Sequence, residues 1–409
     1  MELCSKPRSC DGEKSSARSR LRISFFVHDL AANPIVRAAP LARALEQECD
    51  IEIVGFLLSG SEVYEPFRDS FEYKTLRCSL NVNSVLGAIP LLASFATGDV
   101  VYACKPLLTS MGPALFASVR QHKPFLLDAE DDEWIPAGTS SLSFVWRDLI
   151  KGWRHATAWK YTRLIHPLSS LARAVTVSSS KLKARYGGTI IRHGPDESQF
   201  DPRLPLLLDI SACRRAFSLP EGPFLALFAG MPQPHKGLPI LISALEQDQS
   251  AHWELVLAGP SEHPDFELAA ARLGRRCHRV GLIPNNLLPR LLTAVDAVPV
   301  PQRRVPFAES QLPAKILEAM AMAKPVIAAR VGDIPNILGD GARGWLFEPE
   351  DVFGLSRALE EVSSDPMEAR RRGEAARAWF LENAGTDAIR EQLRCVLRRV
   401  CARGLQTSG

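Results

Sequence analysis

Short apolar runs alternate with helical stretches along this chain, and the series runs twice. RISFFV (22–27) is followed by NPIVRAAPLARALEQ (33–47), whose apolar positions fall at helical spacing, and then by IEIVGF (51–56). DVVYAC (99–104), a helix near 107–121, PFLLDA (124–129), AVTVSS (174–179) and TIIRHG (189–194) continue the scheme. The pattern restarts with FLALFAG (224–230), KGLPILISALEQ (236–247) and WELVLAG (253–259). CHRVGLI (277–283), a helix near 286–294, DAVPV (296–300), a helix at 312–323 and PVIAA (325–329) complete it. Strand and helix in alternation predict parallel sheets covered by helices. The fold class expected is α/β, as two Rossmann-like α/β/α domains facing a central cleft. Ligands in such sheets sit beyond the carboxyl ends of the strands.

A length of 409 residues agrees with two domains, because one core stops growing efficiently beyond about 250–300 residues. The expected division is a disordered basic tail (1–20), an N-terminal Rossmann-like domain (21–203), a linker rich in Pro and Gly (204–222), a C-terminal Rossmann-like domain (223–385), and a C-terminal helix and tail (386–409). The first twenty residues lack the apolar stretch of a secretory signal. No apolar run approaches the ~20 residues of a membrane span. Nine scattered cysteines without a Cys-x-x-Cys pair read as reduced thiols, so a cytoplasmic location is expected. A net charge of +3 excludes nothing but weighs against a nucleic-acid partner. The glycines of GDGARG (339–344) follow a helical stretch and precede a strand-like one, the reverse of a dinucleotide fingerprint, and are read as a turn.

Two stretches carry chemistry. FAGMPQPHKG (228–237) places Gly230 at a strand end, with Gln233 in the loop and Lys236 opening a helix, an arrangement suited to a phosphate. PFAESQLPAKILEAMAMAKPVIA (306–328) leads from Glu309, Ser310, Gln311 and Leu312 into a helix on which Lys315 and Glu318 share a face. Each also reads as ordinary surface: a solvated lysine, and a solvent-facing Lys–Glu pair. Asp128, at the end of a strand, heads an acidic cluster with Glu130, Asp131, Asp132 and Glu133. It lacks an Asp-x-Asp pattern, so hydroxyl groups of a ligand or solvent are expected there in preference to a metal. His28, Asp29 and Asn33 follow the first strand and are placed in the cleft, with Asn33 doubling as a helix cap before Pro34. His193 and Asp196 are read as shaping an interdomain turn.

With these motifs quoted, the chain resembles family 4 glycosyltransferases of the GT-B fold. The resemblance rests on NPIVRAAPLARAL, DVVYACKPL, PFLLDAEDDEW, AVTVSSSKLKARYGG with RHGPDESQFDP, FAGMPQPHKGL, LVLAGP, and LPAKILEAMAMAKPVIAARVGDIPNIL with GWLFEPED. It implies a retaining glycosyltransferase that takes a nucleotide-diphosphate sugar as co-substrate, with no tightly bound cofactor and no essential metal. Lys236 looks like the diphosphate-binding lysine and Glu318 like the carboxylate on the donor ribose. Ser310, Gln311 and Leu312 then offer amides to phosphate, Gly259 and Pro260 line the cleft, and Leu282 and Ile283 meet the base. The catalytic set expected is Lys236, Glu318 and Asp128, and the acceptor is a glycan, a lipid-linked sugar or a small molecule. Met231 and Gln233 stand where many members carry an Arg, and Glu309 and Glu318 are nine apart where eight is usual. These departures motivate an alternative, a catalytically silent subunit that binds a nucleotide sugar or glycan.

Residues 144–173 hold six Lys/Arg against one Asp, with Trp146, Trp153, Trp159 and Tyr161. Basic residues with interfacial aromatics suggest a helix lying on an anionic membrane, peripheral on the inner face. A core-packed helix with a solvated basic face is the other reading.

Overall fold

The structure is a computed structural model that describes residues 20–133, 154–247 and 252–405. Thirteen strands are described: β1 (Leu21–Val27), β2 (Cys49–Leu57), β3 (Glu72–Arg77), β4 (Val100–Cys104), β5 (Phe125–Ala129), β6 (Ala174–Val177), β7 (Thr189–Ile190), β8 (Phe224–Ala229), β9 (Trp253–Ala258), β10 (Cys277–Gly281), β11 (Val298–Val300), β12 (Val326–Ala329) and β13 (Trp345–Phe347). The first seven form one parallel sheet ordered β3-β2-β1-β4-β5-β6-β7. Two further parallel sheets, β10-β9-β8 and β11-β12-β13, are joined by a bridge between Ala226 and Ala297.

The strand sequences are apolar throughout because both faces of the sheet are covered. Phe25 packs with Tyr102, Leu126 and the helix Ile35–Leu45 on one face. Its neighbour Phe26 packs with Val101, Leu127 and the helices Val82–Ser94 and Met111–Gln121 on the other, as the two-residue side-chain period requires. The second set of strands shares a single core with its own helices.

Several expectations change. Strand β3 and the helix Val82–Ser94 were not foreseen, since β3 (EYKTLR) is polar and half-buried at the sheet edge. Residues 204–222, expected as the linker, hold the helix Ile210–Ala216, and Leu207, Cys213 and Leu219 are buried in the second core. Asn33 does not cap the first helix, which starts after Pro34 with no side-chain cap. Lys236 ends a short turn, Pro234–Lys236, and the following helix begins at Leu238. The glycines of 339–344 lie in a turn, with Gly339–Gly341 a single 3₁₀ turn. The expected tail lies outside the described residues except Arg20, which donates to Cys49 O at 3.2 Å. Of 144–173, only 154–173 is described.

The last helix, Thr386–Leu405, returns to the first domain. Ile389, Leu393, Val396, Leu397 and Val400 are buried in the core that holds β1 and the helix Ile35–Leu45.

Candidate active site

A cavity of about 750 Å³ opens where the strand ends of the two domains face each other. Its walls come from the residues just past β1 (Asn33, Pro34), β4 (Lys105), β5 (Glu130, Asp131) and β8 (Gly230), and from the start of the helix Ala314–Ala321.

The turn after β8 places Lys236. Gly230 (φ 98°) and Gly237 (φ 71°) both adopt left-handed backbone. A Cβ on Gly237 would stand 1.8 Å from Pro301 O, so this position admits no side chain. A Cβ on Gly230 would stand 3.7 Å from Lys236 Nζ, which places the ammonium over the turn. Burial holds Lys236 below the usual lysine range.

Lys315 joins it from the helix Ala314–Ala321. Its Nζ lies 4.5 Å from the centre of the Phe228 ring. Burial first, then the charge of Lys236, push Lys315 down to about 7. Glu318, one turn further along the same face, is pushed up to about 7 by burial, against the pull of Lys315. Neither ammonium has a carboxylate within 4 Å or a hydrogen-bond acceptor among the described residues.

The facing wall is acidic and already largely paired. Lys105, held in left-handed backbone (φ 78°), places Nζ 2.7 Å from Asp131, 3.1 Å from Glu133 and 3.6 Å from Glu130. Burial opposes its charge, but Asp131, Glu133 and Glu130 hold it well above the usual lysine range. Burial raises Glu130 to about 7 despite Lys105. The His193 Nε2 is 3.8 Å from Glu130 Oε1. Arg37 Nη1 lies 3.0 Å from His193 Nδ1. A guanidinium only donates, so Nδ1 accepts and the ring proton sits on Nε2, toward Glu130. Burial, then Arg37, lower His193 to about 3, so the ring is neutral near pH 7.

Of the expected site residues, Gly230, Lys236, Ile283, Gln311, Leu312, Glu318 and Asn33 line this cavity together, with Leu282 beside them. Gln311 also reaches across the cleft, donating to Asp131 Oδ1 at 3.2 Å. The others fall elsewhere. Gln233 is exposed and outside the cavity. Gly259 and Pro260 do not line it, and the Gly259 amide donates to Gly281 O at 2.8 Å. Glu309 pairs with Lys181 at 2.7 Å on the seam between the domains. Ser310 is buried, and its carbonyl accepts from Ser179 Oγ at 2.6 Å.

Asp128 does not line the cavity. It is fully buried and accepts two hydrogen bonds from the equally buried Arg37, at 2.7 and 2.9 Å, and one from Thr176 at 2.6 Å. Its oxygens are consumed in the core. His28 is also turned inward, bonded to Thr109, and burial lowers it to about 4. Asp29 accepts from the amides of Ala31, Leu58 and Ser59 at 3.0 to 3.1 Å, so it organises two loops.

Lys105 and Gln302 line the cavity but were not singled out, and His193, read as shaping a turn, and Lys315, read as sharing a face with Glu318, line it as well. A lysine directly after the β4 strand, in ACKPL, is the one sequence signal that points to the first of them. Among the described residues no cluster of His, Cys, Asp and Glu has the form of a metal site. The dense carboxylates instead hold Lys105 and, through Asp132, Arg185.

Residues 209–379 match the sequence profile of the family described as glycosyl transferases group 1. Over 227 residues the chain is 29% identical to alpha-maltose-1-phosphate synthase of Mycobacterium tuberculosis, covering 52% of this chain and 57% of that protein. It is 32% identical over 194 residues to glycogen synthase of the same organism, covering 46% and 43%. The chain thus spans about half the length of the curated relatives it matches. Among solved structures, Anabaena HepE in complex with UDP and glucose superposes with a TM-score of 0.70 at 17% identity, over 93% of this chain and 99% of that one. A glycosyltransferase from Rickettsia africae superposes at 0.72 and 17% identity, over 94% and 99%. These two likenesses carry the fold, which is GT-B.

Proposed function

We propose, from the match of residues 209–379 to the glycosyl transferases group 1 family and from the GT-B fold, that the chain transfers a sugar from a nucleotide-diphosphate donor to a hydroxyl acceptor with retention. The observation that carries this reading is the pair of ammonium groups, Lys236 and Lys315, that share one partly buried cavity without an ion-paired carboxylate. Two desolvated cations without ion-pair partners are costly in a folded protein. A diphosphate offsets that cost by supplying the missing charge, and it is the leaving group of such a donor.

In this reading Lys236 and Lys315 hold the diphosphate and Glu318 accepts from ribose hydroxyls. The amide of Leu312 and the 282–283 backbone complete the donor site. The bond between the anomeric carbon and the phosphate oxygen breaks, the bond to the acceptor oxygen forms on the same face, and the acceptor proton passes to the departing phosphate. The cations act most strongly as charge gathers on that phosphate. On the acceptor side Glu130 takes the place expected for Asp128. It lines the cavity, and its carboxylate has no hydrogen bond within 3.5 Å among the described residues. No metal is required by this scheme.

The test is a thermal-shift screen with UDP, GDP and ADP and their sugars, followed by turnover of Lys236→Ala. A ligand at a hundred times its Kd stabilises by about 2.7 kcal/mol. A hydrogen bond to a charged group contributes about 1.5–3 kcal/mol, so Lys236→Ala is expected to lower kcat/KM by roughly ten- to a hundred-fold. A folded Lys236→Ala variant with parental turnover would refute the phosphate site. Donor binding without hydrolysis or transfer would favour the silent-subunit alternative.

Attachment to an anionic membrane face from the cytoplasmic side is a further part of the proposal. Leu164 is 76% exposed and Leu168 and Leu171 are exposed beside it. Arg154, Lys160, Arg163 and Arg173 lie in the same acid-free stretch, 154–173. Among the described residues no helix is long and apolar enough to cross a membrane.

A further inference from the structure

Gln302 follows β11 and lines the large cavity together with Gly230, Lys236, Val300 and Lys315. It is only 2% exposed. Its Nε2 faces Ala308 O at 3.5 Å, which orients the amide, while its Oε1 has no hydrogen-bond partner. Leaving a buried amide oxygen unpaired costs about 1–3 kcal/mol. Of the residues that hold a buried side-chain atom without a partner among the described residues, Gln302 is the one that lines the cavity.

A carboxamide oxygen can only accept, so its ligand must donate. Ionised phosphate oxygens carry no proton and cannot satisfy it. A hydroxyl can. Position then chooses between the hydroxyls of the donor. Glu318, assigned to the ribose, also lines a smaller neighbouring cavity of about 340 Å³ with Pro284, Asn285 and Asn286. Gln302, Gly230 and Lys236 line the larger one alone.

We infer that Gln302 reads a hydroxyl of the transferred sugar: its buried Oε1 accepts from that hydroxyl and sets which sugars the donor can carry. This rests on the donor-site reading above. It adds to it the residue that separates a nucleotide sugar from a bare nucleotide diphosphate.

The test compares the parent with Gln302→Met, and with Gln302→Leu should the first fail to fold. The probes are the pairs UDP/UDP-glucose, GDP/GDP-mannose and ADP/ADP-glucose, using the pair that binds the parent most tightly. The affinity for the nucleotide diphosphate is expected to stay within about two-fold, while that for the nucleotide sugar weakens about three- to ten-fold. The ligand-free melting temperature is expected not to fall. The variant removes an unpaired oxygen, and Ala308 O keeps the Gln311 amide at 3.3 Å. Equal losses for both members of the pair would move Gln302 to the ribose or phosphates and overturn the inference. So would no loss for either, or a lower ligand-free melting temperature, the mark of a structural role. If no pair stabilises the parent at all, the donor-site reading itself fails, an outcome distinct from these.

Discussion

Lys315 and Glu318 stand one helical turn apart and are both held near neutrality, from opposite sides. Lys315 is lowered in the fold, so the unfolded chain binds more protons between pH 7 and the usual lysine range, and its contribution to stability rises with pH there. Glu318 is raised, so its contribution falls as pH climbs from the usual carboxylate range to about 7. A bound diphosphate favours the charged ammonium. At pH 8 nucleotide diphosphate binding is therefore expected to draw a proton onto Lys315. Calorimetry in two buffers of different ionisation enthalpy reads this uptake, and Lys315→Met should abolish it. An equal uptake in the variant would assign the proton to another group. Asp128 gives a contrasting expectation. Asp128→Ala leaves Arg37 charged and fully buried, and breaking such a pair costs about 3–5 kcal/mol. Denaturant unfolding should show that loss, and unchanged stability would mean that Arg37 finds another partner.

At the scale of elements, the turn between β8 and the helix Leu238–Gln247 sets where Lys236, and with it the proposed phosphate site, can stand. Gly237 is left-handed and its missing Cβ makes room for Pro301 O. Gly237→Ala meets both a conformational cost of about 1–2 kcal/mol and that clash. It is expected to lower the melting temperature and to weaken nucleotide diphosphate binding together, because the turn carries Lys236. A stable variant with lowered affinity alone would show that the turn relaxes by moving the lysine. The same element explains how far the site was legible. Lys236, Gly230 and Glu318, singled out from their local pattern together with the family resemblance, line one cavity. Asp128 misled because a carboxylate at a strand end reads the same whether it faces the cleft or the core. Its partner Arg37 lies 91 positions away, and no local pattern announces the pair.

For the whole molecule, the seam and the returning helix matter most. Ser180, Lys181 and Arg192 of the first domain bond Asp333 and Glu309 of the second, and Gln311 bonds Asp131 across the cleft. The helix Thr386–Leu405 closes the first core from the far end of the chain. Leu393→Ala opens a cavity there and is expected to cost about 2–5 kcal/mol. The loss should appear as earlier unfolding with donor affinity in the native state retained. Unchanged stability would mean that the helix is only loosely docked. Salt-sensitive binding to anionic vesicles is expected for the parent, reduced when the exposed Arg154, Arg163 and Arg173 become Glu, at about 1 kcal/mol per basic residue near the surface. A parent chain that ignores such vesicles at low salt would remove membrane attachment from the proposal.

The alternation of apolar runs and helical periods was sufficient for two α/β halves and a cleft at the strand ends. Burial on both sheet faces forces that pattern on the residues themselves, so it can be read one segment at a time. What faces the cleft was decided only by the packed chain. Glu130 and Asp128 lie two positions apart in one acidic run, yet the first lines the cavity and the second is spent on Arg37 and Thr176. Lys315 and Lys236, 79 positions apart in sequence, become neighbours whose charges oppose each other. Gln302 gains its meaning from an oxygen left unpaired by everything around it. Such assignments depend on long-range contacts and on desolvation, which exist only once distant segments are brought together.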